Sequence, residues 1–320
     1  MNRKSIVGTG IALIATAVIA SVATLSVTSK TNTDSDIITM KGDTITVSEF
    51  YDVVKNNGAA QQVLLEQVIT SVFEAKYGSK VTDEEVQKAY EESAKRYGDN
   101  FAQALASAGM TEESYRSQIR TNKLVEYAVS QAAEKELTDE AYKAAYDAYT
   151  PEVKAQIIKL ADEATANEVL EKAKAEGADF TQLAKDNSTD TATKENGGNV
   201  TFDSTSTDVP AQVQKAIFDL EAGKVGESVV TVVDPQTYAT SYYVVKLNEK
   251  TEKSDNWKDY QDTLKKAILA QKKADATFIT GVVSDELQAA NVKVKDPAFQ
   301  GLLSQYTKTD KTETSSSTSE

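Results

Sequence analysis

The chain contains no cysteine and no histidine in 320 residues. The first absence excludes disulfides, thiolate metal sites and a cysteine nucleophile. The second removes the imidazole that zinc centres and serine or cysteine triads use as ligand or base. Carboxylate-only metal binding stays open, yet no DxDxDG calcium loop occurs, and neither a metal nor a cofactor is expected. Positive charge is also short: 35 Lys and Arg against 49 Asp and Glu leave a formal net charge of −14. Such a chain repels polyanions, so nucleic acid is not an expected partner. What is present, 40% apolar and 26% charged residues, suits a soluble globular protein with an ordinary core, and the length suggests about two domains.

The N-terminus reads as an export signal. Arg3 and Lys4 precede an uncharged run, Ile6 to Val27, rich in Ile, Val and Ala, and the polar chain resumes at Lys30, Asp34 and Asp36. Ser21-Val22-Ala23 offers a small-x-small cleavage site, while the run is also about long enough to span a bilayer if uncut. Residues 1–28 are therefore assigned to a signal or membrane segment, and the bulk of the protein to the outside of the cytoplasm.

A hairpin is expected over Ile37 to Thr46, turning at Gly42-Asp43, followed by a capping box, Thr46-Val47-Ser48-Glu49, and a helix carrying Phe50, Val53 and Val54 on one side. Helices then follow over 59–77, 82–97, 100–108, 111–136 and 138–149, each entered through Thr, Asn or Asp or closed by Gly. From Val153 the composition changes to β-branched alternation, which returns at Tyr242 to Leu247, with helices between. After Asn256 helical spacing resumes to Asn291, and Val292-Lys293-Val294-Lys295 alternates as a strand. The segment 307–320 is Ser, Thr, Lys, Asp and Glu only and reads as a disordered tail. Helical flanks around an α+β segment suggest an insertion: 37–150 plus 252–306 as one domain and 151–250 as another, with a plain string of three domains as the alternative.

Five blocks inside the insert, AQIIKL, EGADFTQLAKDNSTD, ENGGNVTF, VPAQVQKAIFDLEAGKVGESV and SYYVVKL, occur between Ala155 and Leu247. In this order they resemble a parvulin-type peptidyl-prolyl isomerase domain, which implies a four-stranded sheet with helices. Parvulins usually carry a histidine in the first strand and another in the last. By alignment of the flanking residues Gln156 and Tyr243 stand at those positions, where the two could exchange a hydrogen bond in place of the imidazoles. The resemblance further implies a proline pocket lined by Val209, Val213 and Phe218, made shallow or altered by the two valines, and a polar site residue at Asp190. Asp190 is equally suited to capping a turn, and Tyr243 and Phe218 to core packing.

The whole order of segments resembles the PrsA-type extracytoplasmic foldases of Gram-positive bacteria, most specifically over 38–50, 173–202 and 288–299. That family implies an α+β architecture: a mostly helical SurA-like chaperone domain with the parvulin-like domain inserted. It also implies unfolded or partly folded exported proteins as partners, a homodimer as one assembly to be considered, and action at the outer face of the membrane. The family is anchored by a lipid on cysteine. Here Thr28 occupies that position, so no thioether lipid can form, and attachment falls to an uncut apolar segment unless the protein is released.

Prolyl isomerisation needs no covalent step, since the barrier of roughly 18–20 kcal/mol is amide resonance. An apolar seat for the ring and stabilisation of the twisted amide suffice. The leading expectation is a foldase combining chaperone-like holding with prolyl isomerisation that is weakened by the missing histidines. A holdase with a catalytically silent parvulin domain is the alternative, and a cell-surface interaction protein a more distant one. The many aromatics of the first helical region, from Tyr51 and Phe73 to Tyr149, read as core or as the lining of a broad client groove.

Overall fold

The computed structural model describes residues 35–306 except Gln236. The expected signal or membrane segment, Thr28 and the Ser/Thr tail lie outside the described residues. The described chain forms two compact units, one comprising 35–136 and 269–306 and the other 137–268.

The first unit begins with a two-stranded antiparallel sheet, β1 (Asp36–Met40) and β2 (Asp43–Thr46). The turn falls on Lys41-Gly42, one residue before the expected Gly42-Asp43, because Asp43 already pairs with Met40, and Gly42, at φ +87°, supplies its left-handed residue. The Thr46/Glu49 capping box then opens α1 (Val47–Val54), each side chain satisfying the other's backbone N–H. Four helices follow: α2 (Gly58–Tyr77), α3 (Asp83–Tyr97), α4 (Phe101–Ser107) and α5 (Glu112–Lys135). Thr82 with Glu85 and Thr111 with Ser114 form further capping boxes. The core of this unit gathers Leu65, Ile69 and Phe73 of α2, Leu124, Val125 and Val129 of α5, and Val283 and Leu287 from the returning chain. Residues separated by the whole second unit are thus packed together. The Val292–Lys295 segment, expected as a strand, pairs with nothing in a sheet; its alternation instead turns Val292 towards the core while Lys293 and Lys295 stay exposed.

The second unit runs α6 (Asp139–Ala148), β3 (Val153–Leu160), α7 (Glu163–Lys174), α8 (Phe180–Asn187), β4 (Asn199–Phe202), α9 (Ala211–Phe218), β5 (Val230–Val233) and β6 (Thr240–Lys250). The four strands make one antiparallel sheet in the order β4-β3-β6-β5. Val153 pairs with Lys250, and the Thr251 N–H donates to the Glu152 carbonyl at 3.2 Å, so the chain enters and leaves the sheet at one place. That geometry suits an inserted domain. The unit extends past the expected 151–250: Tyr142 of α6 stacks on Trp257 with ring centroids 5.1 Å apart, and Tyr149 packs on Tyr260 at 5.0 Å. These rings, with Leu264 and Ile268, form a core of their own. The chain continues as α10 (Gln261–Ala274) and α11 (Ala276–Ala289), and α10 crosses the division at 268/269.

Candidate functional site

Strand alternation divides the sheet into two faces with different chemistry. Val153, Ala155 and Ile157 of β3 join Tyr243, Val245 and Leu247 of β6 under α9, in a cluster with Val209, Val213 and Ile217. Ile158 and Leu160 join Val244 under α7 and α8, with Val169, Leu170, Phe180 and Ala184.

Gln156 belongs to the second face. Its Nε2 donates to Thr181 Oγ1 and to the Gly197 carbonyl, each at 2.9 Å, and its Oε1 accepts from Asn248 Nδ2 at 3.4 Å. The expected hydrogen bond between Gln156 and Tyr243 is therefore corrected: successive strand residues point to opposite faces, and the two side chains lie on opposite sides of the sheet. Gln156 is a buried amide tying α8 and the Gly197 turn to β3. Gly197 and Gly198, at φ +75° and +79°, permit that turn, and a Cβ on Gly198 would stand 2.4 Å from the Ile157 carbonyl oxygen.

On the first face the residues of β3 that accompany Tyr243 are Lys159, directly opposite, and Ile157, on the diagonal. Ile157 pairs with Val245, and Tyr243 pairs with Lys159, which makes Ile157 and Tyr243 diagonal neighbours. Lys159 Nζ lies 6.0 Å from the centroid of the Tyr243 ring. Reasoning from sequence missed both residues. The usable signal was the pairing of Tyr243 with the strand residues that share its face, and β3 hides it because Ala155 to Ile158 are all buried.

Asp190 lies in the loop after α8. This loop is held to β3 by Thr189, whose N–H donates to the Lys159 carbonyl at 2.8 Å, and by the Lys159 N–H, which donates to Ser188 Oγ at 3.3 Å. Asp190 Oδ1 accepts from the Ala192 N–H at 3.2 Å and Oδ2 from Thr193 Oγ1 at 2.6 Å, the bonds of a turn-capping carboxylate. Burial first, and then the Asp190 charge, push the Tyr243 phenol above its ordinary range. The fold thus favours the neutral phenol, which keeps its O–H as a donor.

The expected pocket residues come together. Gln214, buried in α9, donates from Nε2 to the Ser206 and Val209 carbonyls at 2.7 Å each, fixing the loop that presents Val209. Phe218 packs against Phe202 with centroids 5.3 Å apart. The two valines, however, are closed core together with Tyr243, Val213 being 0% exposed, Val209 5% and Tyr243 6%, while Phe218 is half-buried. A prolyl ring enters here only if these side chains part. Among the described residues no group of three or more Asp or Glu is placed to hold a metal ion. The chemistry available on this face is apolar contact and one buried phenol.

Residues 148–249 match the PPIC-type peptidyl-prolyl isomerase (rotamase) domain model. A foldase protein PrsA of Streptococcus gordonii is 61% identical over 314 residues, covering 98% of this chain and 99% of the relative. One from Streptococcus pneumoniae is 57% identical over 299 residues, covering 93% and 95%. Among solved structures, the crystal structure of foldase protein PrsA from S. pneumoniae superposes with a TM-score of 0.78 at 57% identity, covering 85% of this chain and 99% of the other. That of Lactococcus lactis gives 0.64 at 34% identity, covering 86% and 100%. Similar in sequence from one end to the other and in fold through both units, this chain belongs to the PrsA foldase protein family.

Proposed function

We propose that this protein is an extracytoplasmic foldase that holds exported polypeptides through its first unit and presents their X-Pro bonds to the second. The observation that carries this reading is that similarity to foldases extends over 98% of the chain, so helical unit and isomerase domain occur together as in those relatives. Isomerisation would occur on the Tyr243 face of the sheet, with Val209, Val213 and Phe218 receiving the ring. Tyr243 and Ile157 would flank the amide, and Asp190 would orient the phenol. Twisting the amide needs only a donor and an apolar seat. The export-type N-terminus places the action outside the cytoplasm; Thr28 provides no sulfur for a lipid, so the run Ile6 to Val27 would hold the protein at the membrane.

The test is refolding of a client limited by an X-Pro bond, a step of tens to hundreds of seconds uncatalysed. Full-length protein is compared with a version in which a short Gly/Ser bridge replaces 151–250, a deletion made feasible by the adjacency of Glu152 and Thr251. Faster refolding with the full chain and not with the bridged one supports the reading. Equal yields and rates with both sink the isomerase part of it. A second reading, a holdase whose isomerase domain keeps its fold without its rate, is favoured by the closed core at Val209, Val213 and Tyr243. Protection from aggregation without any rate change would single it out.

A further inference from the structure

Nine large apolar side chains stand exposed among the described residues, and six of them, Ile37, Ile38, Met40, Phe50, Tyr51 and Val53, fall within the first strand and first helix. Helix α1 has no buried residue at all. Its attachment to the rest of the unit is one-sided: the Tyr51 hydroxyl donates to the Asp296 carboxylate, and its ring lies 6.3 Å from that of Phe299. Phe50 and Val53, three residues apart, share a stripe turned about 100° or more from Tyr51. They are 53% and 76% exposed. In β1 the 52% and 46% exposed side chains of Ile38 and Met40 point to one side of the strand.

This patch lies where the N-terminal segment joins the fold. The Val47 N–H at the start of α1 donates to the Ser35 carbonyl at 2.9 Å, so α1 begins beside the first described residue. Upstream in sequence, Val27 ends the uncharged run that starts at Ile6. From Val27 to Ile37 the chain reaches at most about 35 Å fully extended. If the run sits in a bilayer, the exposed apolar patch is tethered within reach of its surface.

We propose that the β1–β2 hairpin and α1 form a membrane foot, which lays Phe50, Val53, Ile38 and Met40 into the interfacial layer of the phospholipid bilayer that carries the N-terminal run. This rests on the reading that the run is retained in the membrane. An amphipathic helix buries its apolar face about 5–10 Å into the headgroup and acyl boundary. The charges of this region, Asp36, Asp43, Glu49 and Asp52 against Lys41 and Lys55, leave an acidic excess, and Lys55 is already paired with Asp52 at 2.6 Å. The contact is therefore driven by apolar area, and anionic lipid does not strengthen it.

The absence of cysteine allows a direct test on the full chain. Val53→Cys, Tyr97→Cys and Lys30→Cys each accept a single environment-sensitive fluorophore, and the labelled proteins are reconstituted into phosphatidylcholine vesicles containing brominated lipid. Tyr97, 54% exposed at the end of α3 and so outside the hairpin and α1, is the control. The expected result is that the labels at 30 and 53 each lose about half their emission while the label at 97 keeps its own. Replacing part of the phosphatidylcholine by phosphatidylglycerol should not increase the loss. A quenched label at 30 with a label at 53 no more quenched than that at 97 overturns the foot and leaves the anchor standing. Quenching at neither 30 nor 53 overturns both. Shielding at 53 that rises with protein concentration in the absence of lipid assigns the patch to a second copy, and shielding that needs an added unfolded client assigns it to clients; either outcome overturns the proposal.

Discussion

The two faces of the β4-β3-β6-β5 sheet solve burial differently. Under α7 and α8 the apolar cluster is interrupted by Gln156, whose amide reaches Thr181, Gly197 and Asn248. Under α9 the side chains between helix and sheet are apolar up to the phenol of Tyr243, and the buried amide there, Gln214, bonds to the Ser206 and Val209 carbonyls and not to the sheet. The polar face holds the frame together, because a buried amide with three partners fixes α8 and the Gly197 turn on β3. The apolar face can yield, because apolar contacts are non-directional and can be exchanged for others when side chains part. A site that must admit a ring is better built on the face that yields.

The most severe way to break the comparison is at the turn both faces depend on. Gly198→Ala places a methyl 2.4 Å from the Ile157 carbonyl oxygen at a φ of +79°. Chemical denaturation should show the second unit destabilised by about 3–5 kcal/mol, or the variant should fail to fold. Tyr243→Ala should cost about 3 kcal/mol by emptying a core position, and it should increase binding of a short proline peptide if the ring closes the cup. Unchanged peptide binding would show that Val209 and Val213 are the barrier instead. Gln156→Ala leaves the Gly197 carbonyl without its donor, at a cost of about 2 kcal/mol. Any prolyl isomerisation rate measured for the parent should survive that substitution, since the side chain faces away from Tyr243; loss of rate in a variant that remains folded would return Gln156 to the site.

The smallest expected effect is with alkali. Burial followed by the Asp190 charge raises the Tyr243 pKa, and burial followed by Asp203 raises that of Tyr149, whose hydroxyl donates to Asp203 Oδ2 at 3.1 Å. A raised folded-state pKa means that the fold favours the neutral phenol. The contribution is complete below the unfolded tyrosine pKa of about 10 and is lost as pH rises through the folded values. The denaturation midpoint of the second unit should fall above about pH 10, and Tyr243→Phe with Tyr149→Phe should flatten the decline.

Much of the fold was legible locally. The hairpin at Gly42, the capping box at Thr46 and the helices after Thr82, Thr111 and Thr138 follow from turn and cap chemistry decided within four or five residues. Strand β3 was legible from its β-branched composition, and its bounds, Val153–Leu160, agree with the composition change. Its orientation was not. A strand covered on both faces has no polar side to mark the alternation, and a one-residue error moves a side chain to the opposite face. That is how Gln156 was placed beside Tyr243 when Lys159 and Ile157 are the residues there.

The sequence by itself determined what needs no partner: the absence of imidazole and thiol chemistry, the caps and turns, and the ordered blocks that identify an isomerase-like unit between helical flanks. Only the tertiary structure decided what depends on which surfaces meet. It assigned Tyr142 and Tyr149 to the second unit by stacking them on Trp257 and Tyr260. It closed the Val209, Val213 and Tyr243 positions into core, and it left the apolar stripe of α1 uncovered, although helices α1 and α2 both carry apolar residues at helical spacing. Apolar spacing shows that a residue can be buried; whether it is buried depends on a second surface distant in the chain, which local sequence does not encode.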